Sequence, residues 1–272
     1  MKFASGAEFP DPLVGLQGGM VGTAEDWKAT RAPELRRLFQ EEMYGMMPEK
    51  PGSMEVKVLH EDKAWLGGKA TLKELEVHLT KPETLAHLLL VVPNQRQGPV
   101  ATFLGMNFKG SHALMADEGI AIPVGMADKD AARATDKGWP IEVIIGRGYG
   151  FACFYSGDFV RDQAEIALAR VKEFSAPAGT AADSAPATLA CWAWGFSRMV
   201  DVLEKQSEVD ATRIAAVGHS RNGKACLFAA AMDERIALAI PTQAGCGGTA
   251  PSKLPEQPLD PKNGRPAHET VE

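Results

Sequence analysis

The chain has 272 residues, of which 45% are hydrophobic and 24% charged, enough to bury one large core and near the upper end of what a single domain spans. Its formal net charge is −6 and it has no run of basic residues, so it lacks the electrostatic footprint that nucleic acid or an anionic membrane surface selects. No apolar stretch reaches bilayer-spanning length, and Met1 to Pro10 contain no apolar signal core. The chain as written is therefore expected in the cytoplasm, or outside it or in the periplasm if a leader has been removed.

In chain order, Ala24 to Tyr44 carries apolar residues at helical spacing, with Pro33 opening a second segment. Met54 to Lys81 alternates as antiparallel strands around Gly67-Gly68. His87 to Pro93, Val100 to Leu104, Gly150 to Tyr155, Arg213 to Val217 and Ile236 to Pro241 are short apolar runs suited to central strands. An Ala/Pro/Ser-rich stretch, Ala176 to Thr188, reads as a surface loop before a helix from about Leu189 to Glu204. Trp192 and Trp194 fall on the apolar face of that helix and read as core. Strands alternating with helices predict an α/β fold, a mostly parallel central sheet covered on both faces, in one domain over 1–272. From Pro251 to Glu272 the periodicity is lost, and the segment reads as a loop or tail. Cys153, Cys191, Cys226 and Cys246 lie in or beside apolar segments with neither a Cys-x-x-Cys pair nor His at metal spacing. They read as buried thiols, and no metal or cofactor is expected.

One stretch carries chemistry. Arg213 to Val217 is a buried strand, Ala225 to Ala231 a helix, and Gly218-His219-Ser220-Arg221-Asn222-Gly223 joins them. A strand turning sharply into a helix through Gly-x-Ser-x-x-Gly has the character of a nucleophile elbow, one position longer than the usual Gly-x-Ser-x-Gly. Ser220 is the candidate nucleophile, and the N–H of Arg221, at the helix start, is placed to receive a developing oxyanion. A serine hydroxyl needs a histidine base and an orienting acid, in the order Ser, acid, His for this architecture. Only His268 follows Ser220; it is the candidate base, against the alternative of a solvated tail histidine. His219 adjoins the serine, but the residue before an elbow nucleophile normally points away from it. His60, His78 and His87 lie on or beside early strands and read as structural or surface residues.

The elbow, with Asp233 to Pro241 and Gln243 to Ser252, resembles the glucuronoyl esterase family of carbohydrate esterases and related bacterial esterases, which are α/β-hydrolases. Asp11-Pro-Leu, Leu104 to Gly110, Trp139-Pro140, Arg147-Gly-Tyr149, Tyr155-Ser-Gly-Asp158 and Trp192 to Arg198 resemble that family in the same order. The resemblance implies a three-layer sandwich and hydrolysis of carbohydrate-linked esters, glucuronoyl or acetyl, through an acyl-Ser220 intermediate. It implies a second oxyanion contact from the Arg221 side chain, sugar contacts from Lys224, and a pocket border from Asn107 and Lys109. Trp139 is a candidate for stacking on a sugar, and Gln243 stands where some members carry a Glu. It also implies that relatives continue past residue 272, so that the last strands are expected to be missing and the open sheet edge to be covered by another copy of the chain. A short-chain carboxylesterase, and a non-catalytic remnant that binds carbohydrate or self-associates, remain alternatives.

Overall fold

The structure is a computed structural model that describes residues 10–179 and 185–250. The expected tail, 251–272, lies outside them.

The N-terminal helical segment is an α-helix interrupted by wider turns: α1 (Ala24–Asp26), a π turn (Trp27–Arg31), α2 (Ala32–Phe39) and a second π turn (Gln40–Tyr44). Thr23 and Asp26 form a capping box that satisfies the first amides of α1. Two long strands follow, β1 (Ser53–Ala64) and β2 (Ala70–Thr80), joined by the tight turn α3 (Trp65–Gly68), where Gly67 and Gly68 take positive φ. Then come β3 (Thr84–Pro93), β4 (Val100–Asn107), α4 (Ile141–Gly146), β5 (Gly150–Tyr155), α5 (Ser156–Phe159) and α6 (Ala164–Arg170). The remaining elements are α7 (Thr188–Leu203), β6 (Val209–His219), α8 (Arg221–Met232) and β7 (Ile236–Thr242).

The seven strands form one sheet in the order β1-β2-β3-β5-β4-β6-β7. The first four in that order pair antiparallel, and β5, β4, β6 and β7 run parallel. The carboxyl ends of the parallel strands share one rim, where ligands of open α/β sheets bind.

Strand alternation divides the core into two layers. Leu88, Leu90, Leu104, Met106, Ala152 and Phe154 face α7 and α8, while Leu89, Val91, Phe151 and Cys153 face Ile141 and Ile145 of α4. Trp192 and Trp194 are buried in the larger layer and satisfy their indole N–H groups on Val160 O and Glu49 O, each at 2.8 Å. All four cysteines are buried, and burial pushes the thiols of Cys153, Cys191 and Cys226 up to about 12. No helix among the described residues is long and apolar enough to cross a membrane.

The smaller layer contains a polar cluster. Glu74 on β2 is fully buried, and neither carboxyl oxygen makes a hydrogen bond of normal geometry. Register places it diagonally from His87 on β3, on the same face of the sheet. The His87 backbone N–H donates to Asp158 Oδ2 at 3.0 Å, and its ring Nδ1 lies 3.8 Å from the same oxygen. Burial raises Glu74 to about 7, with His87, the Ala121 amide and Arg133 offsetting only part of that cost. Burial also raises Asp158. At His87 burial works against the imidazolium, but Asp158 and Glu74 outweigh it and its pKa is raised.

Candidate active site

Ser220 joins β6 to α8 at φ 55°, ψ −126°. A non-glycine residue adopts that conformation only when its surroundings impose it, at a cost on the order of 1–3 kcal/mol. The restraints are visible. Ser220 N–H donates to Thr242 O on β7 at 2.9 Å, and Ser220 O accepts the Gly223 and Lys224 N–H groups at 2.8 and 3.1 Å. Asn222 is buried and ties the first turn of α8 to β4 by donating from Nδ2 to Met106 O at 3.1 Å. A Cβ on Gly218 would run into the Asn222 carbonyl, and one on Gly223 would lie 3.0 Å from Gly218 O and 3.2 Å from Ala244 Cβ. Close approach of backbone thus requires glycine at 218 and makes position 223 tight.

The hydroxyl is partly exposed at the strand rim and has no hydrogen-bond partner among the described residues. The Arg221 N–H, first in a twelve-residue helix, also lacks an acceptor among them. A negative charge forming beside Ser220 would meet this N–H and the positive end of α8. The Arg221 side chain extends away from the helix: Nη2 is 3.2 Å from Asp162 Oδ2, and the guanidinium lies 5.8 Å from the Phe108 ring centroid.

The other expected site residues divide. Lys224 lies one turn into α8, partly buried, its side chain without a hydrogen-bond or ion-pair partner among the described residues. Lys109 is exposed in the loop after β4. Asn107, expected at the pocket border as a ligand contact, is buried and committed internally. Its Oδ1 accepts from the Lys109 and Gly110 N–H groups at 2.9 and 2.6 Å, and Nδ2 donates to Cys153 Sγ at 3.1 Å. It shapes the turn that presents Phe108. Trp139, expected as a sugar platform, packs over the bare backbone of Gly105 and against Phe151 at 5.5 Å. Its ring belongs to the smaller core layer because Gly105 leaves a slot for it. Gln243 sits beyond β7 at positive φ, with Oε1 2.8 Å from His219 Nε2.

None of the five described histidines reaches Ser220. His60 bonds Asp117, His78 bonds Glu83, His87 faces Asp158, His112 contacts Asp130 O and His219 contacts Gln243. The candidate base, His268, lies outside the described residues. Among those residues no group of three or more His, Cys, Asp and Glu side chains is arranged to hold a metal ion. A cavity of about 390 Å³ lined by Trp27, Leu35, Phe39, Tyr44, Phe228 and Met232 lies toward the far end of α8 and does not include Ser220. Sequence reasoning missed Phe108 and Asp162 as neighbours of Arg221. The available signal was their position in loops just beyond the carboxyl ends of β4 and β5.

Comparison with known proteins gives a consistent answer. The family model described as glucuronyl esterase, fungi, matches residues 180–271. Carbohydrate esterase MZ0003, from an unknown prokaryotic organism, is 32% identical over 260 residues, covering 90% of this chain and 60% of that protein. A 4-O-methyl-glucuronoyl methylesterase of Cerrena unicolor is 26% identical over 268 residues, covering 98% of this chain and 48% of that one. Among solved structures, a glucuronoyl esterase from Solibacter usitatus superposes with a TM-score of 0.79 at 32% identity, over 90% of this chain and 65% of that one. The chain thus spans about half to two thirds of the length of these relatives. With the elbow, the sheet order and these likenesses in agreement, the chain has an α/β-hydrolase-like fold and is similar to the glucuronoyl esterases along most of its described length.

Proposed function

We propose that the chain supplies the nucleophile and oxyanion site of a carboxylic-ester hydrolase acting on carbohydrate-linked esters, glucuronoyl or acetyl. The observation that carries this reading is Ser220 held at φ 55°, ψ −126° on the carboxyl rim of the parallel strands, with the unpaired N–H of Arg221 next to it. Ser220 Oγ attacks the ester carbonyl carbon as its proton passes to a base. The tetrahedral oxyanion is received by the Arg221 N–H and drawn by the Arg221 guanidinium. Collapse of the intermediate expels the alcohol with a proton from the base, and water then hydrolyses the acyl-serine to release the acid. His268 is the proposed base, as the only histidine after Ser220 in the chain. Lys224 and Lys109 are the proposed contacts to sugar hydroxyls, with Gln243 at the rim.

Ser220→Ala should abolish hydrolysis of both p-nitrophenyl acetate and methyl glucuronate. Turnover retained in that variant would remove Ser220 from the chemistry, and acetate hydrolysis without glucuronate hydrolysis would favour a short-chain carboxylesterase. We also propose self-association along β7, supported by its unpaired outer edge among the described residues and by Leu238, 55% exposed on it. Light scattering that returns a concentration-independent monomer would refute it.

A further inference from the structure

The contact between Arg221 and Asp162 joins elements far apart in the chain, and both of its ends are fixed. Arg221 is the first residue of α8, and its backbone position follows from the elbow. Asp162 lies in the short link between α5 and α6, pinned on both sides. Val160 O accepts from Trp192 Nε1 at 2.8 Å, Arg161 Nη2 donates to Val124 O at 2.6 Å, and Gln163 N–H donates to Arg161 O at 2.9 Å. α5 itself is anchored where Asp158 accepts the His87 N–H. The carboxylate is therefore presented to Arg221 from a fixed base, while Phe108 supplies the surface along which the guanidinium lies.

Side-chain exposures of 55% for Arg221 and 35% for Asp162 make this a pair of small net value to stability. Its importance follows from Arg221 being the residue that directly follows Ser220 at the start of α8. Resting on the proposed ester hydrolysis, the substrate arriving there is neutral at the reacting carbon and the product leaving is a carboxylate. A lone guanidinium would hold that product by an ion pair that the ester cannot make. We propose that Asp162 is a positioning residue for Arg221, a built-in counter-ion. It keeps the guanidinium oriented for hydrogen bonding to the transient oxyanion, and by competing for the same cation it weakens retention of the uronate product. The site thereby discriminates against its own acid.

The test is a binding comparison in the Ser220→Ala background, so that ligands are not turned over, with titration calorimetry of D-glucuronate and of neutral methyl D-glucuronate. Asp162→Asn should tighten glucuronate binding by about fivefold, leave the methyl ester within about twofold, and lose the gain when Arg221→Ala is added. Asp162→Glu should return both affinities toward the parent values. Thermal melts of each variant confirm that the fold is intact. Unchanged or weaker glucuronate binding in Asp162→Asn, equal tightening of acid and ester, or no binding of glucuronate by any variant would each overturn the proposal. Failure of the underlying hydrolase reading shows separately, as absence of Ser220-dependent turnover in the wild-type chain, and leaves the acid-against-ester comparison readable.

Discussion

Nε2 of His219 lies 2.8 Å from Oε1 of Gln243, so the imidazole next to the nucleophile is bound to a neutral amide and not to a carboxylate. An amide oxygen can fix which ring nitrogen carries the proton, but without a charge it stabilises the imidazolium that a general base becomes less than a carboxylate does.

His219→Ala should therefore change Ser220-dependent p-nitrophenyl acetate hydrolysis by less than about threefold, against the hundredfold or more, roughly, that loss of a true base costs. A hundredfold loss of turnover on removing His219 would make it the base.

Gly218 and Gly223 are both in the motif, yet they face different degrees of crowding. Gly218→Ala drives a Cβ into the Asn222 carbonyl, a backbone atom that cannot yield, whereas in Gly223→Ala the contacts of 3.0–3.2 Å need only small shifts. Denaturant unfolding should show a loss of about 3 kcal/mol or more for Gly218→Ala and about 1 kcal/mol for Gly223→Ala. Equal costs would mean that the turn adjusts more freely than its contacts indicate.

Glu74, His87 and Asp158 all have folded-state pKa values above their ordinary ones. The folded chain therefore binds more protons than the unfolded chain, and this cluster's contribution to stability is present at low pH and declines as pH rises. For Glu74 the window runs from 4.5 to about 7, and the loss across it is on the order of 3 kcal/mol. Glu74→Gln removes the titration, so the variant should be more stable than wild type at pH 8 by several degrees in Tm, with the two converging below about pH 5. A wild-type advantage that grows with pH would reverse the assignment.

Much of the fold was legible from local pattern. The β1–β2 hairpin around Gly67-Gly68, β5, and α7 to within a residue at each end follow from alternation, from short apolar runs and from the proline- and serine-rich approach to the helix. What escaped is non-local. β6 begins at Val209 rather than Arg213, because its polar start is held only by pairing across to Val100. The placement of β5 between β3 and β4 has no signature in any window of sequence. At the site, the Ser220 turn was readable because glycines and a strand-to-helix switch mark it. The Arg221–Asp162 contact was not, since an exposed acid in a loop resembles any other. Asn107 and Trp139, expected to contact substrate, are committed to Cys153 and to the bare backbone of Gly105, non-local partners that no window of sequence around them reveals.

The strand order also sets a sequence of events during synthesis. β1, β2 and β3 pair with neighbours in the chain, so this meander can close as soon as Pro93 is made. β4 follows at once but has no partner until Gly150–Tyr155 emerges, and its other edge waits for β6. An apolar strand containing Phe103 and Leu104 is thus carried unpaired through the translation of a long intervening segment, the interval in which a nascent chain is most exposed to edge-to-edge association. The serine turn, braced by β4 and β7, can take shape only after both of those strands have been made.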